Sequence, residues 1–292
     1  MTWRSSFNSR IEKALNAYIK AQTDSQQHVL PVDIDAVASA LGNIDIERRE
    51  MIREAAVDIS GVRFRIYLQS NFLDRSGTRI RQRFSLAHEI AHTFFFIAKD
   101  DVLKPIKGGP RGMNLESACH EGARRLLIPE RFLSRELGRC HDGVRAEEII
   151  RLAKRVFDVS VEVFLRRLGD RLDSSETCFA VSRNDTLEFA MYPAWLKAVL
   201  WSPPADTPII EWLKSSDLQI ELRPDGSYIG VKENEALVAR RILAGTDLNL
   251  FEIRRCPVAA STTWLLPPRT EPAEGELQRL DWRSNIPSPS FP

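Results

Sequence analysis

The sequence lacks the features of secreted, membrane-spanning and disulfide-stabilised proteins. Its four cysteines (Cys119, Cys140, Cys178 and Cys256) lie far apart and form no CxxC pair, which excludes a disulfide framework and a zinc site built from paired cysteines. We therefore expect buried free thiols. The first twenty residues contain no apolar stretch typical of a signal peptide, and no window offers about 18 consecutive apolar residues. These absences predict a cytoplasmic protein without a membrane partner.

An excess of charge of either sign is also missing. Lysine and arginine together number 41, aspartate and glutamate 40, and the net charge is +1. This balance excludes a protein that covers polyanions with its whole surface and argues against direct binding of nucleic acid. Hydrophobic residues make up 43% of the 292 residues, an ordinary globular composition, and the length suggests two domains.

The pattern of apolar and polar residues changes near residue 174, from helical to strand-like, and predicts an α+β protein. Helical periodicity dominates residues 1–173, with an N-terminal helix at 6–22 and a core at 28–172, so we expect a mainly helical domain with a small β-sheet. Short strand patterns fill residues 174–266 and predict a smaller β-rich domain with a possible regulatory role. Six prolines in residues 267–292 predict an extended tail.

The elements of the first domain follow from local patterns. Asp33 and Gly42 are typical of the start and end of a short helix. Apolar and polar residues alternate over 62–69, which predicts a half-buried strand that we place at the edge of a sheet. The further predicted elements are a helix at 85–97, a glycine-rich loop at 98–114, a helix at 115–127, and two short helices within 145–172 that join at 158–160. In the second domain, strands are predicted around 178–181, 187–191, 219–222, 227–231, 248–253 and 262–266.

His88, Glu89 and His92 form a His-Glu-x-x-His motif within the helix predicted at 85–97. Residues four apart lie on the same face of a helix, so both imidazoles can bind one zinc ion. Glu89 is rotated by about 100° and lies beside the ion, where a carboxylate can accept a proton from an activated water and pass it to a leaving amine. The motif predicts a zinc hydrolase with Glu89 as the general base.

A third protein ligand must come from a neighbouring element. Phe95 and Ala98 replace the glycine and histidine that a metzincin would need. We favour Glu116, because the glycine-rich loop lets its helix fold back along the first one, which gives the His₂Glu ligand set of catalytic zinc sites with one Zn²⁺ per chain. His120 follows one turn later and offers three alternatives: a hydrogen bond to a ligand, polarisation of a substrate carbonyl, or replacement of Glu116 as ligand.

Two longer runs surround these residues: Arg81-Gln-Arg-Phe-Ser-Leu-Ala-His-Glu-Ile-Ala-His92 and, after the loop, Glu116-Ser-Ala-Cys-His-Glu-Gly-Ala-Arg-Arg-Leu-Leu-Ile-Pro129. In both motifs the chain resembles the ImmA/IrrE family of zinc metallo-endopeptidases, over roughly residues 28–172. The resemblance implies a zincin-like fold and a cytoplasmic endopeptidase that cuts a helix-turn-helix transcriptional repressor. The sequence departs from the family at His120 and Glu121, where members usually carry asparagine and a variable residue.

Other interpretations stay open from the sequence. The helices between 147 and 171 resemble a helix-turn-helix, although acidic residues lie among their arginines, so we favour a packed helical pair. The chain is alternatively a non-catalytic metal-binding regulator that binds a repressor or DNA, although a purely structural site has no need of Glu89. Arg111 and His141 follow His120 as candidates for stabilising the oxyanion. Five tryptophans after residue 190 are compatible with a sensing pocket or a core (Trp195, Trp201, Trp212, Trp264, Trp282).

Overall fold

The computed structural model of the chain describes residues 2–24, 29–59, 62–70, 76–99, 102–140, 144–169, 177–184, 186–191, 208, 211, 219–222, 228–232, 235–243 and 248–257. Helices dominate up to residue 169, and antiparallel strands follow from residue 177. This layout agrees with the predicted α+β class. The domain limits at 173 and 266 stay predictions, and the tail, the strand at 262–266 and the five later tryptophans lie outside the described residues.

Two helices open the chain. Helix α1 (Trp3–Asp24) buries one apolar face, with Phe7 only 2% exposed, and is longer at both ends than the predicted 6–22. Helix α2 (Ile34–Leu41) has the predicted ends. The Asp33 side chain accepts a hydrogen bond from the backbone N–H of Ala36, and Gly42 ends the helix with a φ of +73°.

A three-stranded sheet follows, in the order β1-β3-β2. Strand β3 (Phe64–Gln69) pairs in parallel with β1 (Ile44–Arg49) and antiparallel with β2 (Ala55–Asp58). The prediction that the strand at 62–69 lies at an edge is therefore wrong: it is the central strand, and β2 forms the edge. Strand β2 has four residues that are all partly buried, so it carries no alternation that a sequence pattern can reveal.

Helix α3 (Ser76–Thr93) begins earlier and ends earlier than the predicted 85–97. After Thr93 the chain turns into the hairpin of β4 (Phe96–Lys99) and β5 (Val102–Pro105), within the stretch predicted as helix end and loop. The turn is held by Arg10 of α1, whose guanidinium donates hydrogen bonds to the carbonyls of Phe94 and Phe96. Tertiary contacts thus override the helical pattern of this apolar stretch.

The remaining helices close the first half of the molecule. They are α4 (Met113–Leu127), α5 (Glu130–Leu137), α6 (Ala146–Arg151), which continues into a π-helical turn (Leu152–Phe157), and α7 (Val161–Gly169). Helix α5 was not predicted, because Pro129 fits the end of α4 as well as the start of a new helix. In α7, Arg167 is only 5% exposed and bonds to the Ile128 carbonyl and Glu130, which favours a packed helical pair over a DNA-reading helix.

The second half contains a six-stranded antiparallel sheet in the order β7-β6-β11-β10-β9-β8. Its strands are β6 (Thr177–Arg183), β7 (Thr186–Met191), β8 (Gln219–Leu222), β9 (Tyr228–Lys232), β10 (Glu235–Leu243) and β11 (Leu248–Pro257). Strand β10 was not predicted, since its adjacent Arg240 and Arg241 interrupt the alternation. Arg240 joins this sheet to α6 by pairing with the fully buried Glu252 and with Glu147.

Two thiols match the expectation, since Cys119 and Cys178 are buried and free, whereas Cys140 is free and partly exposed. The side chain of Cys256 lies outside the described residues. Burial raises the pKa of Cys119 and Cys178, so neither forms a ready thiolate. Among the described residues, no helix is long and apolar enough to cross a lipid bilayer.

Candidate metal centre

Helix α3 presents two imidazoles on one face. His88 and His92 lie one turn apart, and their Nε2 atoms are 3.1 Å from each other. Their side chains are 13% and 14% exposed, so both rings are largely withdrawn from solvent but still reachable. The neighbouring Ile90 and Ala91 are fully buried and anchor α3 in the core. The face that carries the two imidazoles and the packed face of the helix therefore do not compete.

Helix α4 brings Glu116 to the same point. The Oε2 atom of Glu116 lies 3.2 Å from Nε2 of His88, and its Oε1 atom lies 3.6 Å from Nε2 of His92. The close approach of the two helices depends on Gly122, where an added Cβ would lie 2.8 Å from the Ala91 Cβ and 2.7 Å from the Phe7 ring. The structure thus brings together all three residues that the sequence nominated as ligands, and this group could hold a metal ion.

The separations within this cluster fit a tetrahedral ion. Ligand atoms about 2.1 Å from zinc, at tetrahedral angles, lie about 3.4 Å from one another. The three observed separations are 3.1, 3.2 and 3.6 Å. Two imidazole nitrogens and a carboxylate also form the donor set of catalytic zinc sites, in which the fourth position stays open. The residues present therefore fit a zinc ion.

The electrostatic surroundings keep both imidazoles neutral. Burial, followed by the positive charges that His92 and His120 would carry, lowers the pKa of His88 to about 4. Burial also lowers the pKa of His92, against an opposing effect of Glu116. Neutral imidazole is the form that binds a metal, so protons do not compete for these nitrogens near pH 7.

Glu89 lies beside the cluster and is partly buried. Burial and the negative charge of Glu116 raise the pKa of Glu89 to about 7, although a hydrogen bond from the backbone N–H of Val57 and the charge of Arg53 oppose the shift. A carboxylate whose pKa lies close to neutral pH is suited to accept and return a proton. A cation bound in the cluster would lower this pKa, because it favours the ionised form.

His120 contacts the cluster without joining it. Its ring centroid lies 4.6 Å from that of His88, and it stacks on Phe84 at 5.6 Å. The group of potential metal ligands contains Glu116 and leaves His120 out. Arg111 is exposed in the loop before α4, and His141 lies outside the described residues.

Two features beside the cluster were missed from the sequence. The first is the outer edge of β2: Gln69 bonds through its N–H to the Glu54 carbonyl, so the backbone groups of Ala55 and Val57 point away from β3, and the Val57 N–H donates to Glu89. The second is a cavity of about 1000 Å³ that shares Glu116 and His120 with the cluster. No local signal reveals either feature, since both depend on elements distant in the sequence.

The family model described as IrrE N-terminal-like domain (Peptidase_M78) matches residues 53–169. The match contains β2, β3, the metal cluster and the helices through α7. No curated protein shows a significant match to this chain. A solved structure titled "Mycobacterium tuberculosis transcriptional regulator" is similar over 92% of this chain and 98% of that chain, with 15% sequence identity and a TM-score of 0.44.

Proposed function

Residues 53–169 belong to the IrrE N-terminal-like family of metallopeptidases, and from this premise we propose that the chain is a zinc-dependent endopeptidase that cleaves a protein substrate. The observation that carries the proposal is the cluster of His88, His92 and Glu116 with ligand separations of 3.1–3.6 Å and a carboxylate, Glu89, beside it. Retention of Glu89 favours catalysis over a structural role, because a structural zinc site needs no base.

In this proposal, the zinc ion would be held by the Nε2 atoms of His88 and His92 and by the carboxylate of Glu116. When bound, zinc lowers the pKa of a water molecule to about 7 and polarises the scissile carbonyl. The half-exposed position of Glu116 leaves the solvent side of the cluster open to water and substrate.

Glu89 moves the proton. Its carboxylate accepts a proton from the attacking water as the water oxygen bonds to the carbonyl carbon, and it then delivers that proton to the amine nitrogen as the C–N bond breaks. The hydrogen bond from the Val57 N–H holds the carboxylate in place between these two transfers. A glutamine in its place keeps the shape of the side chain but cannot accept the proton.

The substrate chain binds in extended form along β2. The N–H and C=O of Ala55 and the C=O of Val57 face outward beside Glu89, which already holds the Val57 N–H, so a peptide added to this edge through these three groups places its carbonyl next to the cluster. Strand β2 thus takes the place of β3, which the sequence suggested as the edge strand. His120, next to His88, is the group we assign to polarising the carbonyl oxygen during attack.

The substrate that the family resemblance implies is a helix-turn-helix repressor, cleaved in the cytoplasm. The test is to look for a small helix-turn-helix protein encoded beside the gene, to incubate it with the zinc-loaded chain, and to follow its fragmentation by mass spectrometry. Glu89→Gln should lower the cleavage rate by at least about a hundredfold while zinc stays near one per chain, because the base and the ligands are different residues.

Glu121→Gln is the matched control, since Glu121 lies on α4 outside the cluster and forms only loose pairs, at 4.0 Å, with Arg4 and Arg125. It should cleave at the normal rate. Full activity of Glu89→Gln, or activity that survives removal of zinc by a chelator, would refute the proposal.

A further inference from the structure

A cavity of about 1000 Å³ opens beside the metal cluster and shares Glu116 and His120 with it. Its walls come from α3, α4 and α7, and strand β6 of the second sheet contributes Arg183. Because the cavity shares Glu116 and His120 with the cluster, a peptide whose scissile bond lies at the cluster would extend into it. An occupant of the cavity would then be the part of the substrate next to the scissile bond.

Positive side chains outnumber negative ones in this cavity. Four arginines line it, one from each wall: Arg81, Arg124, Arg166 and Arg183. The lining carboxylates are Glu116, which belongs to the cluster, and Glu162. Ion binding at the cluster would add further positive charge. An excess of one sign of charge on the walls of a cavity concentrates ligands of the opposite sign, so four arginines against two carboxylates favour negatively charged side chains.

Arg166 and Arg183 are held in ways that leave them able to bind a substrate, whereas Arg81 pairs with Glu54 outside the cavity. Arg166 pairs with Glu162 at 2.8 Å and lies 4.3 Å from the centroid of the Phe189 ring, which orients the guanidinium. Arg183 pairs with Glu188 at 2.6 Å. The side chains of Arg166 and Arg183 are 43% and 46% exposed, and exposed pairs of this kind are weak, so a substrate carboxylate can join or replace the partner.

We propose that this cavity is a specificity subsite for Asp and Glu side chains of the substrate. The subsite extends from Glu116 toward α7 and therefore lies on one side of the scissile bond. The proposal rests on the proposed peptidase function. The planar guanidinium groups of Arg166 and Arg183 bind the substrate carboxylate through paired N–H donors. Since Arg183 belongs to β6, the second sheet takes part in substrate selection.

The test measures binding separately from cleavage. The zinc-loaded, full-length Glu89→Gln protein is titrated into fluorescein-labelled, alanine-based octapeptides that carry either Glu or Gln at one position in turn, and binding is followed by fluorescence anisotropy. We expect the Glu peptide to bind about tenfold more tightly than its Gln twin at one or two adjacent positions, the gain typical of a charge-assisted hydrogen bond. Adding Arg166→Gln and Arg183→Gln should abolish this preference.

Arg151→Gln is the matched control, because Arg151 forms a surface pair with Glu148 at 2.8 Å and 40% exposure but does not line the cavity. It should keep the preference, and all variants should keep one zinc per chain. Equal binding of Glu and Gln peptides at every position, no binding of either, or a preference that survives the double substitution would overturn the proposal. Displacement of the Glu peptide by equimolar duplex DNA would also overturn it and indicate a nucleic-acid site.

The two proposals fail in different ways. If the zinc-loaded wild-type chain cuts none of the peptides while the Glu preference persists in binding, the peptidase function is wrong, and what stands is the binding of acidic side chains by the cavity. If the peptides are cut without regard to Glu, the subsite is wrong and the peptidase function stands.

Discussion

The close contact of α3 and α4 at Gly122 predicts that a single methyl group there weakens zinc binding. In Gly122→Ala, the new Cβ would lie 2.8 Å from the Cβ of Ala91 and 2.7 Å from the ring of Phe7. A normal contact between carbon atoms is about 3.6 Å, so α3 must retreat by about 0.8 Å. If that shift reaches the cluster, the His88 to Glu116 separation of 3.2 Å grows to about 4 Å, beyond the roughly 3.4 Å of a tetrahedral site.

The expected magnitudes follow from this displacement. Overpacking costs about 1–3 kcal/mol, and the better helix propensity of alanine returns about 1 kcal/mol, so the free energy of unfolding of the metal-free protein should fall by about 1 kcal/mol. The dissociation constant for zinc should rise by about tenfold or more, the range found when the support of a metal ligand is disturbed. Urea unfolding measures the first quantity, and competition with a chromophoric chelator measures the second.

The double variant Gly122→Ala with Ala91→Gly tests the cause. It moves the methyl group from one helix to the other, so it should recover part of the lost zinc affinity, even though Ala91→Gly alone costs helix propensity. Unchanged zinc affinity in Gly122→Ala, or no recovery in the double variant, would refute the claim that this contact sets the ligand geometry.

Two further predictions concern stability. The pKa of His88 is about 4 in the folded protein and about 6.5 in the unfolded chain. The free energy of unfolding of the metal-free protein should therefore fall by up to about 3 kcal/mol as the pH is lowered from the second value to the first. Urea unfolding in the presence of a chelator should show a smaller fall for His88→Asn. Arg240→Leu should lower the free energy of unfolding by about 3 kcal/mol, because it removes the guanidinium that pairs with the fully buried Glu252. A melting temperature of Arg240→Leu that is no lower than that of Arg241→Leu would contradict this prediction.

Local signals explain which parts of the fold were predictable. Helix α2 was predicted to the residue, because Asp33 and Gly42 mark its ends through contacts within the same segment. The predicted end of α3 was wrong, because Phe94 and Phe96 continue the apolar helical pattern. The chain turns there because of contacts with Arg10, which is distant in sequence, and because of pairing with β5. Structure that depends on contacts within one segment can be predicted from the sequence of that segment, whereas structure that depends on contacts between distant segments cannot.

The same distinction applies to the candidate site. The spacing of His88 and His92 requires nothing beyond a helix, so their convergence could be predicted from that segment alone. Glu116 required the assumption that the next helix folds back, which the structure agrees with and which depends on the small residue at 122. The arginine-lined cavity that we propose as a subsite could not be predicted, because its arginines come from four elements, and the charge of the whole chain is balanced.

The most direct test of the metal centre is the zinc content of purified protein. It is measured by elemental mass spectrometry for the wild-type chain, Glu116→Ala and His120→Ala. The geometry predicts one zinc per chain in the wild type and in His120→Ala, and almost none in Glu116→Ala. Full zinc occupancy in Glu116→Ala together with its loss in His120→Ala would contradict the ligand set on which the proposed hydrolysis depends.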